Sequence, residues 1–180
     1  FQEVDPILGP EMRSTGEVLG LSQYYGEAFF KAQEATQTKL PLGGTVLITV
    51  NNKDKDEMIE VARDLKEAGF KILATKGTQK ALADADIVSE FVYKLNEGRP
   101  NIIDFVTNGK IDLMINTPAS ASEHVDDSDL RKTAIKKKVP YITTIAAAKA
   151  TASGIKSMSL PGCGVVKSLQ ELHAEITDKE

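Results

Sequence analysis

Two lysines, a group of hydroxyls and a carboxamide fall where apolar runs of this sequence stop. Lys55 comes soon after the run 45–50, and Thr75-Lys76-Gly77-Thr78 closes the run that starts at residue 71. Lys94 follows the run 87–93, Asn116-Thr117 ends the run from residue 111, and Thr143-Thr144 ends the run from Tyr141. These residue types share one chemistry, which is donation of hydrogen bonds to an anion. In the first turn of a helix, Lys55 opposes the helix macrodipole, and an anion between the lysine and the helix start reverses the sign of that interaction. A solvated surface lysine also tolerates the small penalty. In the quartet 75–78, two hydroxyls flank a glycine just before a helix, so backbone N–H groups and side-chain donors can converge on a phosphate. A hydroxyl-rich helix cap is the plainer reading of the same four residues. No carboxylate stands at these run ends.

The elements that must hold these donors alternate strand with helix. Strands are expected over 45–50, 71–75, 87–93, 111–116 and 141–144, with a last short one at Val165-Val166. Helices are expected over 55–68, 79–85, 102–108, 127–138 and 145–156, with another from Ser168 through Ile176. Asp54 with Glu57, and Ser168 with Glu171, have capping-box spacing. Met58, Val61, Ala62, Leu65 and Ala68 recur at three and four residues and mark one inner helix face. An earlier helix over 22–35 repeats Tyr25, Ala28, Phe29 and Ala32, with Tyr24 and Phe30 on its flanks. It reads as one buried stripe, or as a docking helix for a neighbouring domain whose loss would leave Tyr24 and Phe30 exposed. Residues 39–44 read as a linker. The fold class expected is α/β: a three-layer αβα, doubly wound parallel sheet with an N-terminal helical appendage. In such sheets ligands sit outside the carboxyl ends of the strands, where the donors above lie.

Composition narrows the functions. The chain has 180 residues, 41% of them apolar and 27% charged, with a net charge of −4. A nucleic-acid binder that relies on bulk positive charge is excluded, so any anion site is local. No apolar run reaches the eighteen or so residues of a membrane span. Phe1 stands in place of an initiator methionine, so a processed or excised piece is expected. The single cysteine, Cys163, rules out an internal disulfide framework and a multi-cysteine zinc site, and points to a cytoplasmic setting. His124 and His173 are too few for a histidine-rich metal site. Neither a dinucleotide-binding glycine fingerprint nor a P-loop is present.

Residues 9–20, GPEMRSTGEVLG, resemble the segment that closes the second ATP-grasp half of the carbamoyl phosphate synthase large subunit. SQYYGEAFFKAQEA resembles the helix that follows it there. ATKGT at 74–78, NEGRPNI at 96–102, INTP at 115–118 and LQELHAEI at 169–176 resemble, in order and spacing, the methylglyoxal-synthase-like regulatory domain of the same subunit. The resemblance implies a division into residues 1–40, the tail of an ATP-grasp domain with its linker, and residues 41–180, a regulatory domain that binds UMP or IMP. It implies phosphate or nucleotide contacts from Lys55, Thr75, Thr78, Lys94 and Asn116, to which the run-end reading adds Lys76, Gly77 and Thr117. Where UMP-regulated members have a threonine two residues after that asparagine, this sequence has Pro118, which has no donor. Tyr141 and Thr143 are implied as part of an ornithine site shared with the preceding domain. No cofactor is implied for this fragment. For the synthetase parts outside it the resemblance implies ATP with Mg or Mn, an ATP-dependent, glutamine-hydrolysing ligase activity, and a glutamine amidotransferase small subunit as partner. It places that activity in pyrimidine and arginine biosynthesis.

Two other functions compete. A methylglyoxal synthase would need a carboxylate base beside a phosphorylated substrate. That family's Gly-Gly-Asp stretch falls at Gly98-Arg99-Pro100-Asn101, where no acid stands; Asp104 is a helical turn further on, and His124 matches the family histidine only loosely. A role in contacts between copies would use Arg131 and Lys136 to Lys138, which also suit a solvated helix end. The acidic loop 123–129 lacks the spacing of a calcium loop.

Overall fold

The computed structural model describes residues 18–36, 39–118 and 124–168, with 170–171 and 173–174; the side chains of 124–127 are not described. Residues 1–17, 37–38 and 119–123, with Glu123 of the acidic stretch 123–129, the His124 side chain and the end of the last expected helix therefore lie outside the described residues, while 124–129 are helical rather than a loop.

Apolar runs without polar alternation form strands buried on both faces. These are β1 (Gly44–Val50), β2 (Phe70–Ala74), β4 (Leu113–Thr117) and the short β5 (Tyr141–Ile142), with β3 (Glu90–Phe91) at one edge. The sheet runs β3-β2-β1-β4-β5, and each neighbouring pair is parallel. The order reverses between β1 and β4, and in sheets of this kind ligands bind outside the carboxyl ends of the strands near such a reversal. Helices α1 (Tyr25–Glu34), α2 (Lys55–Glu67), α3 (Lys76–Asp84) and α6 (Ile145–Met158) share one core with Val46, Ile48, Ile72 and Ile115. Helices α4 (Ile102–Thr107) and α5 (His124–Lys136) cover the other face, against Leu47, Leu73 and Met114. The expected three-layer architecture is the one observed.

Local details depart from the sequence reading. On α1 the apolar period is correct but its phase is shifted: Phe30 is buried, whereas Tyr25 is 71% exposed. The cause is a close crossing with α6. A Cβ on Gly26 would lie 2.6 Å from the hydroxyls of Ser153 and Ser157, so only a glycine lets α1 approach. Helix α3 begins at Lys76 rather than Gln79, because Gln79 N–H already bonds the Thr75 carbonyl at 2.8 Å. The third strand is reduced to two residues, since beyond Phe91 the chain leaves β2 and forms only a bridge between Tyr93 and Asn101.

The Asp54–Glu57 capping box does not form. Asn51 Nδ2 holds the Asp54 carboxylate at 2.7 Å, and Glu57 pairs with Lys149 at 2.7 Å. The box at Ser168 and Glu171 does form, with Ser168 N–H donating to Oε2 at 2.6 Å and Glu171 N–H donating back to Oγ at 3.2 Å. Val165 and Val166 are not a strand but exposed irregular chain.

Candidate functional site

The parallel register sets Thr49 of β1 beside Asn116 of β4, and Val50 beside Thr117. Parallel strands end at one level, so their last residues make a continuous crest. That crest is polar yet buried: Thr49, Thr75, Thr78, Asn116 and Thr117 are at most 8% exposed. Buried polar groups must be hydrogen-bonded, and these are. Thr75 Oγ1 donates to Thr49 Oγ1 at 3.1 Å. Thr78 Oγ1 accepts the Val50 N–H at 3.2 Å. Thr117 Oγ1 accepts from the backbone and side-chain amides of Asn51, both at 3.3 Å. Asn116 Nδ2 donates to the Tyr141 hydroxyl at 2.6 Å, and the Arg131 guanidinium lies over the Tyr141 ring.

Donors remain at the amino end of α3. Thr75 is its extended N-cap, and the first helical bond is made by Gln79. The backbone N–H groups of Lys76, Gly77 and Thr78 therefore precede the ladder, and among the described residues they have no acceptor. The Thr78 hydroxyl accepts from Val50, which leaves its own proton to donate. Thr75 has used its proton on Thr49. Above this turn stands Lys55: a Cβ on Gly77 would lie 3.2 Å from its Nζ. No carboxylate among the described residues pairs with Lys55. A lysine, three open amides, a hydroxyl and the positive end of a helix thus face one small volume, an arrangement that suits a phosphate-sized anion.

The candidates from the sequence divide into groups. Lys55, Thr75, Gly77 and Thr78 meet at the start of α3. Lys76 and Lys94 border a cleft of about 870 Å³ that continues from Gly77 along the outer face of α3. Asn116 and Thr117 lie across β1, with Tyr141 bonded to Asn116; Thr143 follows β5 and is half-buried. Gln79, Lys80 and Ser89 also line the cleft and were not singled out from the sequence. The one available signal was that Lys80 stands four residues after Lys76, on the same helix face.

Asp104 is occupied elsewhere. Its Oδ2 accepts the Asn101 N–H at 2.9 Å, Asn101 Oδ1 accepts the Asp104 N–H at 3.2 Å, and together they cap α4. Among the described residues no three His, Cys, Asp or Glu side chains gather as a metal site would require. No helix among them is long and apolar enough to cross a membrane.

Residues 57–143 match the family described as the MGS-like domain. The carbamoyl phosphate synthase large chain of Methanosarcina acetivorans is 44% identical over 96% of this chain. That of Acidobacterium capsulatum is 46% identical over 97%. In Methanopyrus kandleri a protein named as the C-terminal section of the large chain is 46% identical over 94%. The chain spans 16%, 16% and 31% of the length of these three relatives, respectively. It thus contains an MGS-like domain and matches, over nearly its whole length, the carboxyl-terminal section of carbamoyl phosphate synthase large chains.

Proposed function

We propose that the chain is the part of a glutamine-dependent carbamoyl phosphate synthase that binds a nucleotide monophosphate, of the UMP or IMP kind, and regulates carbamoyl phosphate formation. One observation carries this reading: Lys55 Nζ stands over Gly77, where three N–H groups of α3 have no acceptor. A doubly charged phosphate ester supplies the missing acceptors and offsets the lysine's repulsion by the helix dipole. The remainder of the nucleotide lies along the crest, with Lys94 on one side and Asn116 and Thr117 on the other.

Regulation follows by linkage. An effector that binds one arrangement of this domain more tightly shifts the whole enzyme toward that arrangement. Residues 1–40 belong in this reading to the preceding ATP-grasp domain, and α1 is the mechanical connection because it packs against α6. Tyr141 and Thr143 contribute to an ornithine site completed by that preceding domain. ATP, its divalent metal and the amidotransferase subunit act on parts of the enzyme outside these 180 residues. A lyase acting on dihydroxyacetone phosphate fits less well, since Asp104 is engaged in capping α4.

Titration calorimetry of the chain with UMP and with IMP tests the reading. The expected result is a dissociation constant on the micromolar scale, about −8 kcal/mol. Heat from neither nucleotide, and from no other phosphorylated metabolite, overturns it.

A further inference from the structure

Exposed apolar side chains concentrate on two short segments that the fold brings together. Leu19, Leu21 and Tyr24 lie on the irregular chain that leads into α1, and Val165 and Val166 on the chain that leaves α6. Leu19 is 81% exposed and Val166 92%. In a chain that is 27% charged, residues 18–25 and 159–166 carry no charged side chain. A free protein surface intersperses charge among its apolar residues. An apolar area without charge has the character of an interface core.

One ion pair joins the two segments from beneath. Lys31 Nζ donates to the Leu21 carbonyl at 3.4 Å and to the Val165 carbonyl at 3.1 Å, and it pairs with Glu27 at 2.8 Å. Glu27 accepts the Ser22 hydroxyl at 2.6 Å on one side and the Gly164 N–H at 2.9 Å on the other. The first segment lies flat on α1, since a Cβ at Gly20 would collide with the Ala28 carbonyl. Ordering two irregular segments costs conformational entropy, and holding a carboxylate and an ammonium partly out of water adds to that cost. The apolar side chains displayed there contribute no burial while they face water. A partner that covers them supplies it.

We propose that this patch seats the part of the large chain that precedes this section, an apolar face of that part docking on Leu19, Leu21, Tyr24, Val165 and Val166, with Glu27 and Lys31 as the positioning pair below. The inference rests on the reading of the chain as the carboxyl-terminal section of a carbamoyl phosphate synthase large chain, and it is independent of the nucleotide ligand. Connectivity selects this occupant over a second copy. Leu19 belongs to GPEMRSTGEVLG, the stretch read above as closing the preceding ATP-grasp domain. Most of the length of the relatives lies outside the matched section. A neighbour tethered at the edge of the patch is present at an effective concentration that a free second copy does not reach.

Hydrogen exchange read by mass spectrometry, on the 180-residue chain alone and on the complete large chain, tests the proposal. Amides of residues 18–25 and 159–166 exchange about tenfold or more slowly in the complete chain. Val166→Asp unfolds at the native midpoint in the isolated chain, because the residue faces solvent there. In the complete chain the same variant loses the slowing at both segments, because a carboxylate under an apolar face is costly. Ile135→Asp, on α5 in the opposite helical layer, keeps the slowing. Equal exchange in the isolated and complete chains overturns the proposal, as does slowing that survives Val166→Asp. Slowing that appears in the isolated chain as its concentration rises assigns the patch to a second copy and also overturns it. Titration of the native isolated chain with UMP and IMP reads the nucleotide site separately, and its failure there leaves this interface standing.

Discussion

The ammonium of Lys55 occupies the space from which a side chain at residue 77 would have to grow: a Cβ on Gly77 would lie 3.2 Å from Nζ. Both residues are at helix starts, α2 and α3, that follow adjacent parallel strands. The sheet therefore delivers the charge of one helix to the open amides of the next. Gly77→Ala keeps those amides and displaces only the flexible end of Lys55. Thermal unfolding should be unchanged or raised by up to about 1 kcal/mol, because alanine favours the helix. Monophosphate affinity measured by calorimetry should fall, and Lys55→Ala should lower it by about 1.5–3 kcal/mol. Full affinity in Lys55→Ala would contradict the assignment of that lysine.

Thr78 ties the start of α3 to the end of β1 with one oxygen. Its Oγ1 accepts the Val50 N–H at 3.2 Å, and the residue is 2% exposed. Thr78→Val preserves shape but removes the acceptor, so an amide at the end of β1 loses its partner. Urea unfolding should show a loss of about 1–3 kcal/mol. Thr78→Ser should recover most of it. Equal stability of the valine and native chains would show that Val50 finds another acceptor.

How much of this was legible beforehand depended on how local each cause is. The inner face of α2 and the strands β1 and β4 could be read directly, because continuous or periodic apolar residues dictate them within a few positions. The meeting of Lys55 with residues 75–78 was also legible, since parallel strands put their ends on one crest whatever the details. The phase of α1 was not, because it is decided by Ser153, Gly154 and Ser157, more than a hundred residues away on α6. The Asp54 cap failed for a different reason: Asn51, three residues earlier, competes for the same carboxylate. The cleft and Lys80 were hidden because they depend on the chain's return path beside α3. Asp86 turns that path with a φ of 60°, closing α3 with its N–H on the Ala83 carbonyl and the Ile87 N–H on the Leu82 carbonyl, at a position where the sequence offers no glycine to signal it.

The α1–α6 crossing gives a prediction about folding alone. A Cβ on Gly26 would lie 2.6 Å from the hydroxyls of Ser153 and Ser157, and 2.7 Å from the Ser153 carbonyl oxygen. The serine tips can rotate away, but the backbone carbonyl cannot. Gly26→Ala should therefore force α1 off α6 and loosen Phe30, at a cost of about 1–3 kcal/mol despite the better helix propensity. The readout is the unfolding midpoint. A midpoint at or above the native value would mean that α1 slides without loss of packing.

Glu27 should make stability depend on acid pH. It is 6% exposed on α1, and its pKa is lowered from 4.5 to about 2. The largest cause is the hydrogen bond from Lys31 Nζ at 2.8 Å, followed by those from Ser22 Oγ at 2.6 Å and Gly164 N–H at 2.9 Å. Lys31 also donates to the Val165 carbonyl at 3.1 Å, so the carboxylate ties α1 to the chain that follows α6. A group whose folded pKa lies below its unfolded value stabilises fully above the unfolded pKa and loses that contribution as pH falls through the folded one. The window is thus from about pH 4.5 down to about pH 2. Because the cluster borders solvent, its share is on the order of 1–2 kcal/mol after screening. Glu27→Gln should be less stable than the native chain by about this amount near neutrality, and the gap should narrow steadily below pH 4.5. Urea unfolding of both chains across that range decides the matter. A gap of constant size from neutral to acid pH would show that packing, not charge, is what Glu27 contributes.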